Sequence, residues 1–206
     1  MDFETLTAQR HSIRRYEPGL TIDDDTLRRI FTLVQRSPSS FNLQHWRFVV
    51  VREPARKQEL RGLAFGQQQV EDCAAAVLVC GRLDAFEDAA RLYAEAPPEM
   101  RDKFVPMIGG VYRNQAALQR EEAVRSGSLA AMSLMYAAKA CGWDSGPMIG
   151  FDAGKVSALL ALPPNIIPVM LVTLGRARAD GVPPRLYRRP LDEIVHLESM
   201  AGATLA

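Results

Sequence analysis

The sequence predicts an α+β domain, and three observations carry that prediction. Segments 48–51, 75–80 and 166–174 are apolar without alternation, as strands buried on both faces are. Helical stretches fall between them, one of them apolar on nearly every side. No linker-like segment, low-complexity tract or repeat divides the 206 residues. That length supports one sizeable core, so residues 1–206 are read as a single domain.

Taken in order, Phe3 to Arg10 has helical composition. After Pro18 and Gly19, Thr21 or Asp23 caps a helix whose Leu27, Ile30, Phe31 and Val34 follow the i, i+3, i+4, i+7 spacing of a core-facing stripe. Pro38 closes it. The stretch SPSSFNLQHWRFVVV, Ser37 to Val51, then runs from small polar residues and amides through a Trp into a strand. Short hydroxyls and amides beside a buried element suit a flat, heteroatom-rich ligand, or an ordinary helix-to-strand connection. Pro54 opens the next helix, which carries Leu60 and Leu63. In GQQQVEDC, Gln67 and Gln69 face either a ligand or solvent at a helix end. Helical sequence from Asp84 to Glu95 is stopped by Pro97-Pro98. Met100 to Gly110 reads as an irregular excursion, with Phe104, Met107 and Ile108 as candidate pocket walls. Ser126 or Ser128 begins the apolar helix, which Gly142 ends after Cys141. Such a helix asks for burial on all sides, met by a second subunit or by a central place in a monomer. Asp152 caps a helix through Leu160, and Pro163-Pro164 breaks the chain before the last strand.

Composition excludes several classes. With 25 basic and 24 acidic residues the net charge is +1, so no nucleic acid or membrane surface is implied as partner. Cys73, Cys80 and Cys141 are odd in number, lie in apolar contexts and lack CxxC spacing, which favours reduced thiols and a cytoplasmic setting. The N-terminus does not read as a signal peptide, and no apolar run reaches membrane-spanning length. His11, His45 and His196 show no metal-ligand spacing, and neither a nucleophile elbow nor HExxH occurs. A chain without visible catalytic side chains fits a cofactor that does the chemistry.

Local charge is more telling. Arg10, Arg14 and Arg15 gather around Ser12, a set that could hold one phosphate or simply favour a helix C-terminus. From Arg176 to Arg189 there are five arginines against one acid, Asp180. A second glycine-spaced loop, GWDSGPMIGFD, offers peptide N–H groups without a side chain in the way. Phosphate-loop patterns fail on spacing.

Together these stretches resemble the FMN-dependent nitroreductase family. Arg10, Ser12, Arg14 and Tyr16 fit its R-x-S-x-R-x-[FY] pattern. Pro38, Ser39, Ser40, Asn42, Gln44, Trp46 and Phe48 fit PSS-x-N-x-Q-P-W-x-F, with His45 in place of the usual Pro. PMIGFD is similar to P-[IM]-x-G-F-D, where many members carry Glu at the position of Ile149. Gly175, Arg188, Arg189, Pro190, Leu191, Glu193 and Val195 resemble the tail.

The resemblance implies a central, mostly antiparallel sheet surrounded by helices and an intertwined homodimer with FMN sites at the interface. It assigns the phosphate to Arg10, Ser12, Arg14 and either Arg188 or Arg189, with His11 alongside. Pro38, Ser39, Ser40, Asn42 and Gln44 would flank the flavin, with Gln67 and Gln69 as further candidates. Pro147, Met148, Ile149 and Gly150 would lie beside it, the last two meeting N5 through backbone. The implied activity is ping-pong transfer from NADH or NADPH, through flavin N5, to a nitro-aromatic, quinone or similar small acceptor, with no catalytic side chain. A flavin-binding store or sensor without turnover is the other class.

Overall fold

The computed structural model describes residues 1–205. Its centre is a four-stranded sheet of β1 (Trp46–Val51), β2 (Ala75–Arg82), β3 (Asp144–Met148) and β4 (Ile166–Gly175). The order is β1-β2-β4-β3 and every pairing is antiparallel. Around it lie α1 (Phe3–Gln9), α2 (Asp24–Val34), α3 (Pro54–Leu63), α4 (Gln69–Asp72), α5 (Ala89–Leu92), α6 (Pro98–Tyr112), α7 (Ala116–Ala140) and α8 (Ala153–Leu159).

The absence of alternation in β2 has a direct cause. Val77 and Val79 enter one core layer with α2 and α7, while Ala76, Leu78 and Cys80 enter the opposite layer with α3, α4 and α8. A strand covered on both faces needs apolar residues at every position. The α2 stripe is as the spacing predicts, with Leu27, Ile30 and Val34 buried and Asp23 accepting from the Thr26 N–H at 2.6 Å. Asp152 caps α8 through the Lys155 N–H at 3.0 Å, and Pro54 begins α3.

Four expectations are corrected. First, β1 is an edge strand, with Phe48, Val49 and Val50 half-buried and Arg47 exposed, because it pairs on one side only. Second, Pro98 starts α6, since the first helical turn needs no N–H from it, and the supposed excursion is helical through Pro106, Gly109 and Gly110. Of its proposed pocket walls, Ile108 is fully buried, Phe104 packs near Phe41, and Met107 is exposed. Third, the apolar helix starts at Ala116, so Ser126 lies buried in mid-helix. That helix is also not buried all round, for Val124 and Leu129 face outward. Fourth, the glycine-spaced loop contains β3, missed because Gly146 and Pro147 read as turn residues.

Candidate functional site

The N-terminal arginines reach their place because the chain after α1 runs along the outer edge of β3. Ser12 bridges to Ser145 in parallel, and the Ile13 N–H donates to the Ser145 carbonyl at 3.0 Å. Gly146 permits this approach, since a Cβ there would stand 2.3 Å from the Ile13 carbonyl oxygen. Tyr16, which the motif groups with the phosphate ligands, is instead a core residue. It is 1% exposed, and its hydroxyl lies 2.9 Å from Thr173 Oγ1.

The tail returns to the same place. Arg185 donates to the carbonyls of Thr7, Ala8 and Arg10, satisfying acceptors that the end of α1 leaves open. A cleft of about 390 Å³ results, lined by Arg10, His11, Ser12, Arg14, Arg185 and Arg188, among others. Its charge is uncompensated. Arg10, Arg14 and Arg188 form no ion pair among the described residues, whereas nearby arginines do. Arg15 and Arg178 both meet Asp180, at 3.2 and 3.0 Å, and Arg189 meets Glu193 at 2.6 Å. Asp180 is held below the usual carboxylate range by these guanidiniums, against the opposing effect of desolvation. Of the alternatives Arg188 and Arg189, the first lines the cleft and the second is paired with Glu193.

Further along the β3 edge lies the turn after Met148. Gln67 donates to the Gly150 carbonyl at 2.8 Å and accepts from Gln69 at 3.0 Å. Gln69 is buried, and Gln67 acts on the loop, which sequence reasoning did not foresee. The N–H groups of Ile149 and Gly150 donate to no protein acceptor among the described residues. Ile149 and Phe65 both project outward, at 76% and 71% exposure. Phe65, in left-handed backbone (φ 54°) after α3, was not anticipated, and only the structure reveals that conformation. From Ser145 to Gly150 is roughly 17 Å of extended chain, a reach that suits a ligand with a phosphate at one end and a flat ring at the other.

The amide loop is strained. Phe41, Asn42 and Gln44 have φ of 50°, 54° and 50°, a region that costs non-glycine residues roughly 1–3 kcal/mol each and that clusters at ligand sites. The surroundings enforce it: the Gln44 N–H donates to Ser39 Oγ at 2.9 Å, Ser40 Oγ meets the Tyr112 hydroxyl at 2.9 Å, and Tyr93 donates to the Phe41 carbonyl at 3.2 Å. Pro38 and Asn42 are exposed, and the Asn42 side-chain amide has no partner among the described residues.

One chain does not bring the loop and the arginine cleft together. The loop enters β1 where Trp46 faces Gly81, which faces Ile167. Ser12 lies beyond β3, where Ser145 faces Leu174. These are opposite corners of the sheet, roughly 30 Å apart by strand spacing and rise. A surface cavity of about 910 Å³ between Phe86, Ala90, Val105, Arg113 and Gln119 lies apart from both groups and gathers no cluster of like charge.

Comparison with known proteins shows the family and the fold. The family model described as "Nitroreductase family" matches residues 7–176. The chain belongs to the nitroreductase family. It is 35% identical over 201 residues to a protein of Bacillus subtilis (strain 168) named as a candidate NAD(P)H nitroreductase, MhqN, covering 94% of this chain and 98% of that one. A crystal structure of a candidate nitroreductase from Bacillus subtilis superposes with a TM-score of 0.90 at 35% identity, covering 94% and 97%. Another, a candidate nitroreductase in complex with FMN from Exiguobacterium sibiricum 255-15, gives 0.87 at 32% identity, covering 95% and 96%. The nitroreductase fold, with its antiparallel sheet among helices, is thus shared. Among the described residues no helix is long and apolar enough to cross a membrane, and no group of three or more His, Cys, Asp or Glu could hold a metal.

Proposed function

We propose that Arg10, Ser12, Arg14 and Arg188 hold the phosphate of FMN, and that the Ser39–Gln44 loop of a second copy flanks the flavin. As a nitroreductase-family member the chain is an NAD(P)H-dependent flavin oxidoreductase with FMN as its cofactor. The observation that carries the site assignment is the uncompensated cleft: Arg10, Arg14 and Arg188 line it without a carboxylate partner among the described residues, while Arg15 and Arg178 are paired with Asp180 and Arg189 with Glu193. A phosphate dianion fits such a donor set through charge-assisted hydrogen bonds.

FMN held by these residues would supply the redox chemistry, carrying hydride and electrons from NADH or NADPH to a nitro-aromatic, quinone or similar small acceptor. The chain's own groups bind and orient. Gln67 holds the Gly150 carbonyl, and the Ile149 and Gly150 N–H groups, which meet no protein acceptor among the described residues, would serve as donors to the flavin. Asn42 stands on left-handed backbone, and Ser39 and Ser40 are tied to the Gln44 N–H and the Tyr112 hydroxyl, so their directions are set before a ligand arrives. Because loop and cleft lie at opposite corners of one sheet, a homodimer completes each site from two chains. The exposed Val124 and Leu129 on α7, and Leu186 and Ile194 on the tail, give such a dimer apolar surface to bury.

The test is the absorbance spectrum of the purified protein followed by anaerobic addition of NADH or NADPH. Flavin bands that bleach on addition support an oxidoreductase. Bands that persist indicate a store or sensor, and a colourless protein that binds no added FMN refutes the reading. A ping-pong cycle further requires parallel lines in double-reciprocal plots when donor and acceptor are varied.

A further inference from the structure

His45 occupies the position where the resembling motif has proline, and the function described so far leaves it unused. Its ring is 1% exposed, and a buried polar ring needs a partner. Ser126, also 1% exposed, supplies one from the middle of α7, with Oγ 3.1 Å from His45 Nδ1. The His45 carbonyl accepts from the Arg82 N–H at 2.7 Å, so backbone and ring are both fixed. The residue directly before it is Gln44, the last left-handed residue of the loop. Tyr112 meets the His45 ring edge-on at 6.4 Å and carries its hydroxyl to Ser40. A histidine therefore ties the end of the strained loop to the longest helix, a tie that proline could not make.

Of the charged and titratable groups around the ring, Glu122 is the carboxylate that favours its charged form, and it is shared with a guanidinium. Glu122 on α7 is engaged by Arg125, and Arg82 on β2 is engaged by Asp84 and Asp88. Arg47 on β1 is itself a cation, and Tyr112 on α6 is a neutral phenol whose ionisation is pushed up by burial. Burial holds the His45 imidazole below its ordinary range, with Arg47 and Arg82 acting in the same sense and Glu122 opposing.

We propose that His45 is a positioning residue of the flavin site, which as neutral imidazole bonded to Ser126 keeps the Ser39–Gln44 loop in its left-handed form and releases it on protonation. The sign follows from linkage. A group whose pKa is depressed in the closed state stabilises that state fully above the ordinary histidine value of about 6.5, and the stabilisation is lost as pH falls below it. The inference rests on the flavin role proposed for the loop, but the hold on the loop can be measured without cofactor.

The experiment compares wild type, His45→Asn, His45→Leu and Ser126→Ala at about pH 8 and about pH 5.5, either side of the histidine range. The readouts are hydrogen exchange of the 41–44 amides, corrected for intrinsic rate, and FMN affinity by fluorescence quenching. Asn keeps a polar atom near the Nδ1 position and does not titrate. At the higher pH, His45→Leu and Ser126→Ala should raise Kd about tenfold and speed exchange, and their combination should be no worse than the worse single change. His45→Asn should stay close to wild type there. FMN phosphate titrates in the same range, so the decisive quantity is the difference in acid step between wild type and His45→Asn. A larger step in wild type is expected, and equal steps in both would overturn the proposal. So would unchanged exchange and affinity in His45→Leu, with melting temperatures confirming that each variant is folded. If wild type binds no FMN while Arg10→Ala behaves alike, the cofactor reading falls, and loop exchange still decides the role of His45.

Discussion

Arg10→Ala should weaken FMN binding roughly 10- to 150-fold. Arg10 is half-buried in the cleft and, like Arg14 and Arg188, has no carboxylate partner. A charge-assisted contact to phosphate is worth about 1.5–3 kcal/mol, and each 1.4 kcal/mol is a factor of ten in Kd. No acid is left unpaired by the substitution, so little of the loss is offset by relief elsewhere. Arg189→Ala is the matched control. It removes the same charge one residue from Arg188, but its partner is Glu193 and both side chains are largely exposed, so the change should stay within about threefold. Arg188→Ala should fall with Arg10→Ala. Titrating apoprotein into FMN and following fluorescence quenching measures all three, and repeating it at higher salt should narrow the differences. Equal losses for Arg10 and Arg189, or none at Arg10 in a protein of unchanged melting temperature, would refute the reasoning from unpaired charge.

Other outcomes follow from single features. Gly146→Ala places a Cβ against the Ile13 carbonyl and Thr173, so it should lower stability by about 1–3 kcal/mol in denaturant melts and weaken FMN binding as segment 12–16 shifts. Gln67→Leu frees the Gly150 carbonyl and should slow reduction by NAD(P)H in stopped flow more than it changes FMN affinity. If sites are shared, refolding a mixture of an Arg10→Ala chain and a chain with bulky residues at Ser39 and Ser40 restores activity above either alone, because one site of the mixed dimer is intact. Mixed dimers without rescue would place each site in one chain. Burial pushes the Cys73 and Cys80 thiols up to about 12, so native protein should react with a thiol reagent at half-buried Cys141 first, and three equal rates would contradict the described core.

The residue types of the proposed site are legible because local sequence carries them whole. Arg10, Ser12 and Arg14 read as a phosphate set or as cations at a helix end, Ser39–Gln44 as a ligand loop or an ordinary connection, and PMIG as exposed backbone. The α2 stripe and its Asp23 cap were equally plain, since helix periodicity and capping are local. Elements that depend on distant partners were not. β3 hides behind Gly146 and Pro147, residues that look like a turn until β4 pairs with them. Segment 100–110 reads as irregular because Pro106, Gly109 and Gly110 are poor helix formers, yet Ile108 and Tyr112 bury against Leu43 and Ala85 and the packing overrides propensity.

By itself the sequence determined the fold class, the family likeness and the chemistry of the ligand groups. Only the tertiary structure decided which arginines stay unpaired, that Tyr16 belongs to the core, and that loop and cleft lie at opposite corners of one sheet. The reason is physical. Residue type fixes what a side chain can bind, but whether it is free to bind depends on which carboxylates, carbonyls and hydroxyls the fold places against it. Asp180 and Glu193 claim Arg15, Arg178 and Arg189, and the carbonyls of α1 claim Arg185. Strand order sets the remaining distances, and no motif records it.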